Sequence, residues 1–155
     1  MKFAAREDIE APIEYVFSQI SDFPALERSA LRRGADVQRL DDLEEPGEGM
    51  RWQANFTLRG KERELKFELV KFDPPNGMIL SSLSPNMGGQ MVIDLVALSR
   101  GRTRLSAELE MQPKNLSARL LVQSMKLAKS NLSKRFRNRL AAYGDDLEER
   151  FKSTA

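Results

Sequence analysis

The side chains that could do chemistry in this chain are few and of a narrow kind. Its 155 residues include no histidine and no cysteine, so the usual imidazole base, the imidazole and thiolate metal ligands and the thiolate nucleophile are all missing. That excludes Ser-His-Asp hydrolases, cysteine proteases, zinc fingers, zinc hydrolases and haem sites with histidine ligation. Carboxyl and hydroxyl groups remain. Glu7 is the one acid on a strand parity otherwise made of Phe3, Ala5 and Ile9. In an apolar cavity such a carboxyl would hold its proton more tightly and serve as acid or base; at an edge or bulge it would only reach water or a cation. Tyr15, Ser82, Tyr143 and Ser81 are the other candidate polar anchors. These groups fall on different elements, so no spacing fixes a catalytic pair. We expect no catalytic residue, no metal and no cofactor.

The remaining charges form local patches. Twenty-five Lys and Arg stand against 23 Asp and Glu, a net of +2 at pH 7, which is too small to mark a nucleic-acid-binding protein. The acids Asp41, Asp42, Glu44, Glu45 and Glu48 occupy a loop with a Pro-Gly pair but lack the alternating oxygen ligands and closing Glu of a calcium loop. From Lys114 to Arg139 there are many cations and no acid. This run reads either as a solvated helix face or as a peripheral contact for anionic surfaces through Lys126, Lys129, Lys134 and Arg137. No aromatic residue that would stack on bases interleaves it, apart from Phe136, which the periodicity assigns to the core. No run of about 18 apolar residues occurs, and the N-terminus becomes charged before a signal-peptide core could form, so the expected location is the cytoplasm.

The elements that must position these groups follow from the hydrophobic pattern. The apolar fraction is 41% and the charged fraction 31%, consistent with one folded domain over residues 1–155. Lys2 to Ala11 alternates as a strand. Ile13, Val16, Phe17 and Ile20 mark a short helix with Pro12 in its first turn, and Ala25 to Arg33 can form a second that stops at Gly34. The period is then two: Val37 to Asp41, Met50 to Leu58, a strand around Leu65 to Phe72 whose parity shifts near Leu69 and Val70 as at a β-bulge, Met78 to Leu83, Gln90 to Leu98 and Thr103 to Met111. Ser84 to Gly89 reads as a flexible hairpin that could gate a cavity mouth. Asn115-Leu116-Ser117 reads as a helix cap. Beyond it a 3.6-residue period through Leu116, Leu120, Met125, Leu132, Phe136, Leu140, Tyr143, Leu147 and Phe151 predicts one long helix of about nine turns, with Gly144 the place where it would kink or end.

The order is α+β: one strand, two short helices, six strands joined by links too short for crossovers, and a long C-terminal helix. The residues Ile9 to Phe23 resemble the "I-x-A-P-x-x-x-V-F/W-x-x-I/L-x-D" opening of the START-related, birch-pollen-allergen-like superfamily (SRPBCC), which includes polyketide cyclases and lipid carriers. The resemblance in element order spans essentially the whole chain. It implies a helix-grip fold, a seven-stranded curved antiparallel sheet around the long C-terminal helix, enclosing an apolar cavity.

On that frame the inward residues Trp52, Phe56, Phe67, Leu69, Leu80, Met91, Ile93, Leu95, Leu105, Leu109 and Met111, facing Met125, Leu132 and Phe136 of the helix, are either core filler or the wall of a ligand cavity. A wide sheet covered by a single helix favours a cavity, and its ligand would be apolar. The first expectation is thus a carrier of a hydrophobic small molecule, lipid-, quinone- or polyketide-like. The alternatives are a cyclase- or dehydratase-like enzyme in which Glu7 or a tyrosine moves protons, and an interaction module using the basic face of the C-terminal helix.

Overall fold

The computed structural model describes residues 1–154. The chain forms β1 (Lys2–Ile9), α1 (Ile13–Ile20), α2 (Phe23–Arg32), β2 (Asp36–Arg39), β3 (Arg51–Leu58), β4 (Lys61–Asp73), β5 (Gly77–Ser82), β6 (Met87–Ser99), β7 (Arg102–Pro113), α3 (Leu116–Lys126) and α4 (Lys129–Ser153). One seven-stranded antiparallel sheet runs in the order β1-β7-β6-β5-β4-β3-β2. Strands β2 to β7 are a meander, and β1 closes against β7. This is the expected helix-grip architecture, with the two short helices between the first two strands.

Local chemistry explains the boundaries. Asp22 caps α2 by accepting from the Ala25 N–H at 3.2 Å, with Pro24 in the first turn, and Asn115 caps α3 by accepting from Ala118 at 2.8 Å. The parity change in β4 is a bulge, where the register with β5 shifts between Leu69 and Lys71. Two expectations need correction. The hairpin between β5 and β6 is shorter than Ser84 to Gly89, because Met87, Gly88 and Gly89 extend β6 by pairing with Pro113, Gln112 and Met111. Gly89 sits at φ +150°, and a Cβ there would lie 2.2 Å from the Glu110 carbonyl oxygen, so the strands can approach only because this residue lacks one.

The second correction concerns the C-terminal helix, which is two helices. The break falls at Leu127–Ala128, where Ala128 leaves helical geometry at φ −110° and ψ 18°. Length supplies the reason. An unbroken helix from Leu116 to Ser153 would run about 57 Å, against about 40 Å for the longest strands beneath it, so the chain bends to stay on the sheet, α3 resting on β7 and α4 on β1. Gly144 does not interrupt α4. It is buried against β1, and a Cβ at this position would stand 3.4 Å from Ile9 Cγ1, an ordinary contact.

The main core joins the two short helices to the sheet and to α4. Ile9, Val16, Leu69, Leu105 and Leu147 are fully covered. Aromatic pairs continue it: Phe17 on Phe72, Phe23 on Trp52, Trp52 stacked on Phe67 and Tyr15 on Phe151. The buried Thr103 hydroxyl donates to the Ala11 carbonyl at 2.8 Å and fixes the turn from β1 into α1.

Asp41 anchors the acidic loop and is no metal ligand in waiting. Its almost wholly covered carboxylate pairs with the Arg39 guanidinium and accepts from the backbone N–H of Leu43 and Arg51. The Arg39 hydrogen bond is the main reason its pKa lies well below the usual 3.8, with the two backbone donors helping and desolvation opposing. A carboxylate with a depressed folded-state pKa stabilises fully above the unfolded value, and that contribution is lost as pH falls toward the folded one. Urea denaturation from neutral pH down to about pH 2 should therefore show stability declining below the ordinary aspartate range. Asp41→Asn should lower stability at neutral pH and flatten that acid limb.

Candidate functional site

The register places every strand residue of the expected cavity wall on one face. Phe3, Leu109, Met91, Leu80 and Leu69 lie in one cross-strand row, Ala5, Ala107, Ile93 and Met78 in the next, and Trp52, Phe67 and Ser82 in another. Met111 stands beside Gly89, and Phe56 beside Arg63. This is the face that α4 crosses. Phe136 meets Phe3 across it, with ring centres 6.1 Å apart.

Burial divides these residues into two kinds. Trp52, Leu69, Leu95 and Leu105 are sealed among the core side chains. Phe56, Phe67, Leu80, Met91, Ile93, Leu109 and Met111 are only half covered, as are Met125, Leu132 and Phe136 on the helices. The protein thus keeps a band of inward-pointing apolar side chains without a complete lid. Of these side chains Phe56, Phe67, Leu80 and Ile93 border the two hollows described next, whereas Met91, Leu109, Met111, Met125, Leu132 and Phe136 border neither.

Two hollows adjoin the sealed core. A pocket of 200 Å³ lies between α2 and the sheet, walled by Ile20, Phe23, Leu26, Trp52, Phe67, Met78, Leu80 and Ile93, with Glu27 its one charged border. A groove of 1040 Å³ shares Leu26 and Ala30 with that pocket and opens between α2, β3 and α4. Its rim is polar. Arg32 and Arg33 at the end of α2 and just beyond it, Arg139 and Arg150 from α4, and Asp22, Asp146 and Tyr143 line it, while Phe56 and Leu58 form an apolar floor.

Arg150 is already partly engaged, donating to Gln19 Oε1 at 2.7 Å and pairing with Asp146 at 3.0 Å, and its buried Nε has no protein partner. Burial pushes the Tyr143 phenol up to about 12, with the Arg150 charge pulling weakly the other way. Tyr143 is therefore a hydrogen-bond donor at neutral pH, suited to a carbonyl or carboxylate and unsuited to act as a base.

The other expected anchors separate. Glu7 lies on the inner face of an unbulged β1, opposite Leu105 and against Gly144 of α4. It forms no hydrogen bond or ion pair through its carboxylate with other described residues. The Ser82 hydroxyl, although on the inner face, donates to the Met87 carbonyl at 2.6 Å and accepts from the Ser84 N–H, so it holds the hairpin. Tyr15 packs on Phe151, away from the half-covered band. Of the basic residues, Lys126, Lys129, Lys134 and Arg137 are all exposed. The arginines of the groove had no sequence signal, because Arg32 and Arg150 come from helices at opposite ends of the chain. Among the described residues no three Asp or Glu side chains are grouped to hold a metal ion, and no helix is long and apolar enough to cross a membrane.

No family model and no curated protein matches the sequence. Solved structures do match the fold. TTHA0849 from Thermus thermophilus aligns over 100% of this chain and 99% of its own, with a TM-score of 0.71 at 18% identity. The Zhui aromatase/cyclase from Streptomyces sp. R1128 aligns over 97% and 94%, with a TM-score of 0.69 at 14% identity. A START superfamily protein from Mycobacterium smegmatis aligns over 86% and 95%, with a TM-score of 0.57 at 13% identity. At these identities the likeness is one of fold, and it is the SRPBCC helix-grip fold that the opening residues resemble.

Proposed function

We propose that this protein binds and carries a hydrophobic small molecule, lipid-, quinone- or polyketide-like, in the space between the curved sheet and α4. The observation that carries the reading is the half-covered apolar band on the inner face, continuous in character with the pocket behind α2 and bordered by the arginine-rimmed groove. Apolar area supplies affinity in such a site, and a few polar groups orient one end of the ligand. Here Tyr143 and the groove arginines would hold a carbonyl or acidic end, while Leu80, Met91, Ile93 and Leu109 take the apolar body. The thioether of Met91 suits a wall that adapts to more than one shape. We place this activity in the cytoplasm.

One observation favours a second reading, an enzyme of the cyclase or dehydratase kind. Glu7 is a carboxylate on the inner face without a protein partner, and a solved structure of this fold is an aromatase/cyclase. In that reading Glu7 moves the proton and Tyr143 donates a hydrogen bond to the substrate carbonyl.

Native mass spectrometry of gently purified protein, with a denatured control and organic extraction of what is released, tests the carrier reading. The expected result is a stoichiometric apolar adduct that leaves on denaturation. No adduct, together with no thermal shift across a panel of lipids, quinones and polyketides, would mean that the band is ordinary core and the reading fails. Glu7→Gln separates the two readings: a carrier keeps its adduct unchanged, whereas an enzyme accumulates unconverted substrate.

A further inference from the structure

Helix α3 is covered on one side only. Ala118 and Val122 are its buried residues, facing β7. At about 100° per residue, Leu116, Leu120 and Leu127 fall within about 40° of one another, on the opposite side of the helix. They are 71%, 58% and 93% exposed. Leu127 keeps helical geometry at the point where the chain turns into α4, so the stripe ends at the apex of the elbow. Three leucines in line on the solvent side of one short helix are not accounted for by packing within this molecule.

Charge surrounds the stripe. From Lys114 to Tyr143 the chain holds eight of its 25 cations and none of its 23 acids, leaving 17 cations against 23 acids elsewhere. This segment is thus +8 on a remainder of −6. All eight cations are exposed, and none forms an ion pair with another described residue. Arg119 and Lys126 flank the leucines on α3, and Lys129 follows at the elbow.

We propose that the α3–α4 elbow docks this protein on an anionic lipid surface, the three leucines entering the headgroup boundary and the lysines and arginines meeting the phosphates. Two features favour a bilayer over a protein partner. Lysine is depleted at the centre of protein interfaces, whereas an apolar stripe edged by long basic side chains, whose stems lie along the apolar layer while their ammonium groups stay wet, is the pattern of helices that lie in a membrane interface. The charge asymmetry also turns the elbow toward an anionic surface and the acidic remainder away from it. The three leucines and the cations beside them, Arg119, Lys126 and Lys129, line neither the groove nor the pocket behind α2, so the inference stands apart from the ligand reading.

Flotation of the purified chain with vesicles of phosphatidylcholine, with and without phosphatidylglycerol, tests it. Wild type should bind the anionic vesicles at least about tenfold better than the neutral ones. The triple variant Leu116→Ser, Leu120→Ser and Leu127→Ser should lose about tenfold of that binding, and Lys126→Glu with Lys129→Glu should abolish it, each with unchanged far-UV circular dichroism. Leu31→Ser, at an exposed leucine of α2, should bind as wild type. Equal affinity for both vesicles, or undiminished binding by the leucine variant, would overturn the proposal. So would self-association, or selective binding to an acidic protein, through the same leucines in the absence of vesicle binding.

Discussion

Leu147→Ala is expected to cost about 3–5 kcal/mol of folding stability. The side chain is 0% exposed, and it is the fully buried residue of α4 in the core of Ile9, Val16 and Leu105, with Leu140, Tyr143 and Phe151 packed against that core. Deleting the side chain removes transfer energy and leaves a hole that the packed surroundings close only in part. For a domain whose total stability is about 5–15 kcal/mol this is a large fraction, equivalent to a fall on the order of 10 °C in Tm. Leu132→Ala, at a half-covered position of the same helix, should cost distinctly less. Equal losses in thermal and urea denaturation would show that α4 is held evenly along its length and that the upper half of the inner face is closed.

Leu109→Glu is expected to lower affinity for an apolar ligand by at least about 100-fold. Leu109 stands in the second strand of the sheet with Phe3 on one side and Met91 on the other, and its half-covered side chain points at α4. A carboxylate there would have to stay hydrated where the ligand body must exclude water, and either the charge or the ligand is displaced. The protein should still fold, since the position is not sealed; far-UV circular dichroism checks this. Phe56→Asp should act similarly at the groove. Val96→Glu is the control, because Val96 lies on the outer face at 55% exposure and its substitution should leave the adduct intact. An adduct of undiminished stoichiometry on Leu109→Glu would place the ligand elsewhere.

The parts of this structure legible in the sequence are those governed by local periodicity. The alternation from Met50 to Leu58 has its counterpart in β3, and the parity shift at Leu69 and Val70 in the β4 bulge, because period two reports a sheet with one covered face. What escaped was set by distance in the fold. The break at Leu127–Ala128 contains no glycine or proline, so the sequence period runs through it; it is imposed by the length of the sheet, and it leaves Leu116 and Leu120, expected on the inward stripe, facing solvent while Ala118 and Val122 are buried in their place. Gly144, by its helix propensity the natural suspect, lies inside an unbroken α4 and packs on Ile9. The candidate site divides likewise. The inward strand residues follow from parity, and Glu7 stands out as a polar exception. Which of them are sealed and which half covered depends on where α2 and α4 lie, and the arginine rim joins helices that only tertiary structure brings together.

The closure of the sheet has a kinetic side. Strand β1 precedes the other described elements in the chain, yet among the described residues its strand partner is β7 alone, with pairs such as Phe3 with Leu109 and Ile9 with Thr103 roughly a hundred residues apart. Hairpins from β2 to β7 can form as they appear, whereas Phe3 and Ile9 must wait, uncovered, until β7 and then α4 exist. Folding should therefore be limited by a late, entropically costly loop closure, in the millisecond-to-second range of topologies dominated by distant contacts. Until then the unpaired edge of β7 and the bare apolar side of β1 are the two surfaces through which nascent chains would associate with one another.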